Sequence, residues 1–318
     1  MFRLRPMKAA DFDSVAELIF LSTNSWYQQR LGHPIFGCQP QDCRVFCEVY
    51  DDLDPDCGLV MEHQTTGMIA GSCFYHPRET HVSLGIMNVH PNYFGHGIAG
   101  RLLARIIEEA ETRDLPLRLV SSALNLDSYS LYNRNGFSPF CLYQDMILTV
   151  PEGGLAKASG RAGEAGEGDE AAGFTVREAG PSDLVAMGRL EFEVSGISRE
   201  RDYCYFIENG SGLWRTLVAE GADGEAEGFL VSVDHPAIRF IGPGVMRNEA
   251  VAEALLRAQL DRFRGKAVVF LVPSSEKALV AAAYALGARN CELHLGQVRG
   301  ALQPVAGIAM PTFLPESA

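Results

Sequence analysis

Val89-His90-Pro91-Asn92-Tyr93-Phe94-Gly95-His96-Gly97-Ile98-Ala99-Gly100-Arg101-Leu102-Leu103-Ala104-Arg105 is the stretch on which the fold of this chain turns. Before it, residues 80–89 alternate. Val82, Leu84, Ile86 and Asn88 fall on one face and Ser83, Gly85, Met87 and Val89 on the other, which predicts a strand. After it, Ile98, Leu102, Ile106 and Ala110 recur at helical spacing. Gly95, Gly97 and Gly100 therefore sit where a strand gives way to a helix. Glycine there permits a tight turn and a close approach of ligand to main chain. The helix start adds unpaired N–H groups and the positive end of the macrodipole, a combination suited to a phosphate. The stretch reads as a pyrophosphate cradle; a glycine-rich turn with no ligand is the plainer alternative.

Working outward, Gly95-His96-Gly97-Ile98-Ala99-Gly100 fits the G-x-G-x-x-G of dinucleotide-binding folds. The following strand, residues 117–122, ends Leu-Val-Ser-Ser and lacks the acidic residue that would hold a ribose. Asn92-Tyr93-Phe94-Gly95-His96-Gly97 instead resembles the Q/R-x-x-G-x-G/A signature of the GCN5-related N-acetyltransferases, with Asn92 in place of Gln or Arg. About thirty residues on, Asn125-Leu126-Asp127-Ser128-Tyr129-Ser130-Leu131-Tyr132-Asn133-Arg134-Asn135-Gly136-Phe137 resembles that family's later motif, N-x-x-A-x-x-L-Y-x-K-x-G-F. Ser128 replaces Ala and Arg134 replaces Lys. Asn125 can cap a helix or meet an amide-rich pantetheine arm, Ser128 and Tyr132 share one helix face, and Gly136 ends the helix.

The resemblance implies an N-acetyltransferase that moves an acetyl group from acetyl-CoA (acetyl-coenzyme A) to the amine of a small molecule or peptide by direct attack. It implies a mixed α/β fold: two tandem domains, each a central, mostly antiparallel sheet flanked by helices. It assigns cofactor contacts to Met87 and Val89 on the strand, to Asn92, Phe94, Gly95, His96, Gly97, Ile98 and Ala99 in the cradle, and to Asn125, Ser128 and Tyr132. Tyr132 takes the position of the acid that protonates the leaving thiolate; a phenol with pKa near 10 can donate to it. Backbone N–H groups at 87–89 would face the thioester oxygen. The base is open among His81, Ser83 and His90, with His81 the candidate. Asn24, Trp26, Tyr27 and His33 fall on the acceptor side. A binding module that holds coenzyme A without turnover is the reading from another class. The Asn92 departure leaves room for it; Asn125 and Tyr132 count against it.

Residues 151–173 are rich in Gly, Ala and Glu and too poor in apolar bulk to bury a core, so they are expected to be a linker. After them the chain begins again. Phe2-Arg3-Leu4-Arg5 aligns without a gap with Phe174-Thr175-Val176-Arg177, Asp11-Phe12 with Asp183-Leu184, and Leu18 with Leu190. The expected organisation is an acetyltransferase domain over 1–150 and a degenerate copy over 174–318. Where the first half has Gly95-His96-Gly97, the second has Arg247-Asn248-Glu249, and Glu249 would set a carboxylate where a pyrophosphate should rest. Tyr284 lies three residues before Gly287, whereas Tyr132 lies four before Gly136, a difference of about 100° on a helix. The copy is expected to shape the substrate site or to form a homodimer surface.

A net charge of −13 makes a nucleic-acid footprint unexpected. No apolar run is long enough to span a bilayer, and Met1–Arg5 leads into no signal-like apolar region, so no membrane partner and a cytoplasmic location are expected. Cys38, Cys43, Cys47 and Cys57 cluster without Cys-x-x-Cys spacing or paired histidines; buried free thiols are expected, with no metal.

Overall fold

The computed structural model describes residues 1–155 and 173–317. Most of the expected linker lies outside the described residues. The elements in chain order are β1 (Phe2–Pro6), α1 (Phe12–Leu31), α2 (Arg44–Leu53), β2 (Gly58–His63), β3 (Ile69–Pro77), β4 (Val82–Val89), α3 (Ile98–Thr112), β5 (Leu117–Ser122), α4 (Leu126–Arg134) and β6 (Ser138–Thr149). There follow β7 (Phe174–Glu178), α5 (Leu184–Ser195), α6 (Glu200–Glu208), β8 (Trp214–Gly221), β9 (Ala226–His235), β10 (Ile238–Met246), α7 (Glu249–Leu260), β11 (Ala267–Pro273), α8 (Lys277–Ala285), β12 (Arg289–Arg299) and β13 (Ile308–Met310), with two short closing strands, Thr312–Phe313 and Glu316–Ser317. The fold is mixed α/β with mostly antiparallel sheet flanked by helices, as the resemblance implies.

The chain forms two compact units. The first comprises residues 1–119 and 313–317. Its strands β1, β2, β3 and β4 pair antiparallel in sequence order, and β4 meets β5 in parallel. Helix α3 lies on this sheet because its stripe of Ile98, Leu102, Leu103 and Ile106 is buried. Gly71 on β3 makes the close approach feasible: a Cβ there would come 2.5 Å from Ile98 Cγ2. Helix α1 runs unbroken for 20 residues through the polar stretch of residues 22–25. The reason is tertiary. The Asn88 side-chain amide on β4 donates to Ser22 Oγ at 2.8 Å and Thr23 Oγ1 at 3.3 Å, so the polar run has buried work to do inside the helix.

The second unit comprises residues 120–312. Its strand order is β12-β6-β11-β10-β9-β8-β7, with β13 on the far half of β10. β6 pairs antiparallel with β11 over Val268↔Leu148 and its neighbours, and with β12 over Leu293↔Gln144 and its neighbours. A strand from the N-terminal half of the sequence is thus held on both edges by strands from the C-terminal half. The core joins Met146 and Leu148 of β6 to Val251, Leu255 and Leu256 of α7 and Phe270 of β11. Compactness and the sequence repeat divide the chain at different places, the first near residue 119 and the second within 151–173.

Candidate functional site

The glycine turn between β4 and α3 forms where the sequence predicts it. Gly95 and Gly97 adopt φ of +80° and +74°, left-handed values that favour glycine. Gly97 is the N-cap of α3, and no side chain caps that helix start. The first-turn N–H groups have no intrahelical acceptor. A Cβ placed on Gly95, Gly97 or Gly100 would meet nothing within 4 Å, so the space above these donors is open. That is the fit a pyrophosphate needs: unsatisfied donors, a positive helix end and room. The loop is pinned from below. Tyr93 meets Phe2 edge-on at 5.2 Å and stacks on His63 at 5.9 Å, and the Asn92 N–H donates to His90 Nδ1 at 3.2 Å. Phe94 and His96 are exposed, and the Ile98 side chain is buried, so Ile98 and Ala99 can contribute backbone N–H groups.

The neighbouring edge of β4 lacks a ladder partner over most of its length, although the Tyr50 hydroxyl and the closing strand Glu316–Ser317 come against it. β4 pairs with β5 only at Val82↔Leu117 and Ser83↔Arg118, and beyond Ser83 that edge has no strand partner among the described residues. Met87 and Val89 are half-buried on this stretch. Two residues not singled out by the sequence appear here. Tyr50 on α2 is buried; its hydroxyl accepts the Ile86 N–H at 3.3 Å and the Glu316 N–H at 2.8 Å. Burial pushes the Tyr50 phenol well above its ordinary range, so it acts here as a neutral hydrogen-bonding group. No local pattern could have placed Glu316, 266 residues away, against β4.

His81, the candidate base, is completely buried just before β4, with its Nδ1 3.0 Å from the Thr80 hydroxyl. An amine arriving from solvent would not touch it. Asn24 is spent on structure. Its Oδ1 accepts the Ile35 and Phe36 N–H groups at 3.0 and 2.8 Å, and its amide donates to the Phe36 carbonyl. Trp26 and Tyr27 pack edge-to-face at 4.9 Å, and His33 is exposed.

The later motif lies in the second unit. Asn125 caps α4 by accepting the Ser128 N–H at 3.1 Å, as the spacing predicts, and Gly136 ends the turn at φ +85°. Tyr132 is buried and its ring lies 5.7 Å from Phe137; Tyr129 and Ser128 are half-buried.

The start of α7, which the repeat aligns with the start of α3, is filled by its own side chains. Asn248 Oδ1 accepts the Ala250 and Val251 N–H groups, both at 3.1 Å. Glu249 turns to the start of α8, where its Oε1 accepts the Ala278 and Leu279 N–H groups at 2.7 and 3.1 Å. The carboxylate thus serves a different helix from the one the sequence suggests. Tyr284 is half exposed and its hydroxyl donates to Gln144 Oε1 at 3.1 Å.

All eight cysteines are free. Burial pushes the Cys47 thiol up to about 12 and Cys43 higher still, which makes poor ligands of them. Among the described residues the group with metal-ligand geometry is Asp145, Glu292 and His294, whose ligand atoms lie within 4.8 Å of one another. His294 Nδ1 and Asp145 Oδ1 are already 2.8 Å apart, and Glu292 Oε1 holds the Ser122 hydroxyl.

No curated protein matches the chain significantly in sequence. The model of the acetyltransferase (GNAT) family matches residues 20–137, and that of an acetyltransferase (GNAT) domain matches residues 189–294. In structure the chain is similar to a putative acetyltransferase from Pyrococcus horikoshii, with a TM-score of 0.74 at 16% identity over 99% of this chain and 95% of that one. It is similar to a GCN5-related N-acetyltransferase from Sphaerobacter thermophilus, with a TM-score of 0.64 at 18% identity over 96% and 98%. A tandem GNAT protein from the clavulanic acid biosynthesis pathway gives 0.59 at 16% identity over 95% and 98%. Two matched domains, one either side of residues 151–173, and neighbours of the same length make this chain a tandem member of the GCN5-related N-acetyltransferase superfamily.

Proposed function

We propose that this protein is an N-acetyltransferase that binds acetyl-CoA through the first repeat and acetylates the amine of a small molecule or peptide. The observation that carries the reading is the uncapped start of α3, with Gly95 and Gly97 at positive φ beneath open space. Superfamily membership supports acyl transfer in general, and the open helix start favours the first repeat as the one that performs it. Acetyl-CoA, when bound, supplies the thioester whose acyl group the amine takes. The N–H groups at the start of α3 hold its pyrophosphate, and backbone N–H groups along 87–89 orient its thioester end. The capping Asn125 and its neighbour Ser128 present α4, on which the Tyr132 hydroxyl would give its proton to the departing thiolate, leaving the thiol of coenzyme A. His81 is fully buried, which favours a water as the carrier of the amine's proton over direct contact with that imidazole. The domain organisation that goes with this reading is a catalytic repeat over 1–150, a linker over 151–173 and a non-catalytic repeat over 174–318.

The test is an assay of free thiol with acetyl-CoA and a panel of small amines and peptides with free N-termini. Thiol release that depends on the amine is expected. Tight coenzyme A binding with no thiol release from any amine would favour the binding-module reading. No binding at all would remove both.

A further inference from the structure

We propose that Asp145, Glu292 and His294 form a site for one divalent cation of the zinc type, which cross-links β6 to β12. All three belong to the second unit and to its β6–β12 ladder. Their ligand atoms, one from each side chain, lie within 4.8 Å of one another, and His294 Nδ1 stands 2.8 Å from Asp145 Oδ1. Tetrahedral ligands bonded to zinc at about 2.0–2.1 Å are about 3.4 Å apart, so small side-chain rotations close the group on an ion. Three protein ligands leave the fourth position to water. The expectation of no metal rested on the cysteines; here Asp145 and His294 are 149 residues apart in the chain.

Strand register makes the site. Glu292 lies directly opposite Asp145, and His294 follows two residues on, on the same face of β12. The ladder shifts just before them. Asn290 faces Met146 and Glu292 faces Asp145, so Cys291 is the extra residue of a bulge. A bulge re-aims the side chains that follow it. Without it Cys291 would stand opposite Asp145, and Glu292 would turn to the other face of the sheet. Two carboxylates directly opposite on a ladder repel, and these two are buried, Asp145 at 3% exposed and Glu292 at 6%. Buried charge of one sign calls for a cation between its carriers. The charge is felt next door. After burial itself, Asp145 and Glu292 push the Cys291 thiol up, to about 12, and Arg289 offsets them only in part. That thiol stays protonated at neutral pH and donates to the Asp145 carbonyl at 3.3 Å, so it is no ligand. His294, 7% exposed, supplies the nitrogen that separates a zinc-type set from the all-oxygen sites of magnesium and calcium. Glu292 Oε1 also holds the Ser122 hydroxyl at the end of β5, an outer hydrogen bond of the kind that orients a ligating carboxylate.

The experiment is calorimetric titration of the full chain, stripped with a chelator, with zinc chloride. Saturable binding at one site per chain is expected, with a melting temperature that rises with zinc concentration and no saturable binding of magnesium in the same range. Glu292→Gln and His294→Gln each remove a ligand and keep a polar side chain. Each should weaken zinc at least about 100-fold and abolish the zinc-dependent rise in melting temperature. Cys291→Ser should keep the wild-type affinity, which separates the site from capture by a surface thiol. Cobalt in place of zinc needs no variant, so misfolding cannot obscure it. The wild-type chain should give the visible absorption of a tetrahedral ion without a sulfur-to-cobalt charge-transfer band. The proposal is overturned if zinc does not bind saturably or if magnesium binds as tightly. It is overturned equally if Cys291→Ser removes binding, if cobalt shows thiolate ligation, or if Glu292→Gln and His294→Gln both keep the wild-type affinity.

Discussion

The starts of α3 and α7 occupy equivalent places in the repeat and have opposite chemistry. At α3 the donors are bare: Gly97 is the cap, no side chain reaches back, and the space beside it is empty. At α7 Asn248 has taken two of the donors for itself, and Glu249 has gone to satisfy α8. A side-chain cap stabilises a helix by about 1 kcal/mol. The first repeat forgoes that stabilisation and leaves its helix-start donors open; the second takes it and leaves fewer of them open. A degenerate copy, on this comparison, has not merely lost glycines. The side-chain oxygen of Asn248 occupies two of its helix-start donors.

The comparison is easiest to break at Gly97. Gly97→Glu imposes a side chain at φ +74° and sets a carboxylate over the helix start. Coenzyme A affinity should fall by more than about 100-fold, as bulk and like charge add; titration of the wild-type chain should give one coenzyme A site. Two equivalent sites would mean that the filled start of α7 is no barrier. Next in size is the tyrosine pair. Tyr132→Phe should lower the turnover rate about 100-fold with little change in coenzyme A affinity, the mark of an acid that acts in the transition state. Tyr129→Phe and Tyr284→Phe, measured the same way, should each keep nearly full turnover. If Tyr132→Phe also keeps it, the thiolate leaves without help.

A smaller effect sharpens the other side. Asn248→Ala and Glu249→Ala should each lower stability by about 1 kcal/mol in denaturant titration, since each bares two helix-start donors. Coenzyme A affinity of the first repeat should not change. Smallest is the effect expected where the repeats agree. Arg5 grips Asp11 through two bonds at 2.7 and 2.8 Å, and Arg177 grips Asp183 through two at 2.8 Å. Asp11 also accepts the Lys8 N–H, and Asp183 the Gly180 N–H. The arginine hydrogen bonds hold both carboxyls below the ordinary carboxylate range. A folded-state pKa below the unfolded one means that the stabilisation is complete above about pH 4 and is lost as pH falls through the folded value. Asp11→Asn and Asp183→Asn should therefore each flatten the acid limb of the stability curve by up to about 1 kcal/mol. The Arg5 side chain is 18% exposed and that of Arg177 is 44% exposed, so the first substitution should matter more. Equal or reversed effects would show that solvent screening does not set the difference.

Much of this was legible in the sequence because it is local. The alternation before Val89, the glycines at 95 and 97 and the stripe from Ile98 each report on neighbours within a turn or two, and all appear where expected. So does the Asn125 cap; the aligned pairs Arg5–Asp11 and Arg177–Asp183 form the same clasp in both halves, a contact the alignment did not itself predict. Beyond that range the sequence runs out. Alternation in residues 138–149 says which side chains are buried but not which strands lie alongside, so only tertiary pairing placed β6 between β11 and β12. Glu249 read as a barrier over α7 because its partner on α8, almost thirty residues later, carries no signal; a backbone N–H looks the same in every sequence. The return of residues 313–317 to β4 through Tyr50, and the meeting of Asp145 with Glu292 and His294, are likewise contacts between distant segments. Helices, caps and turns are settled by energies between near neighbours. Strand partners and buried clusters depend on what the rest of the chain brings beside them.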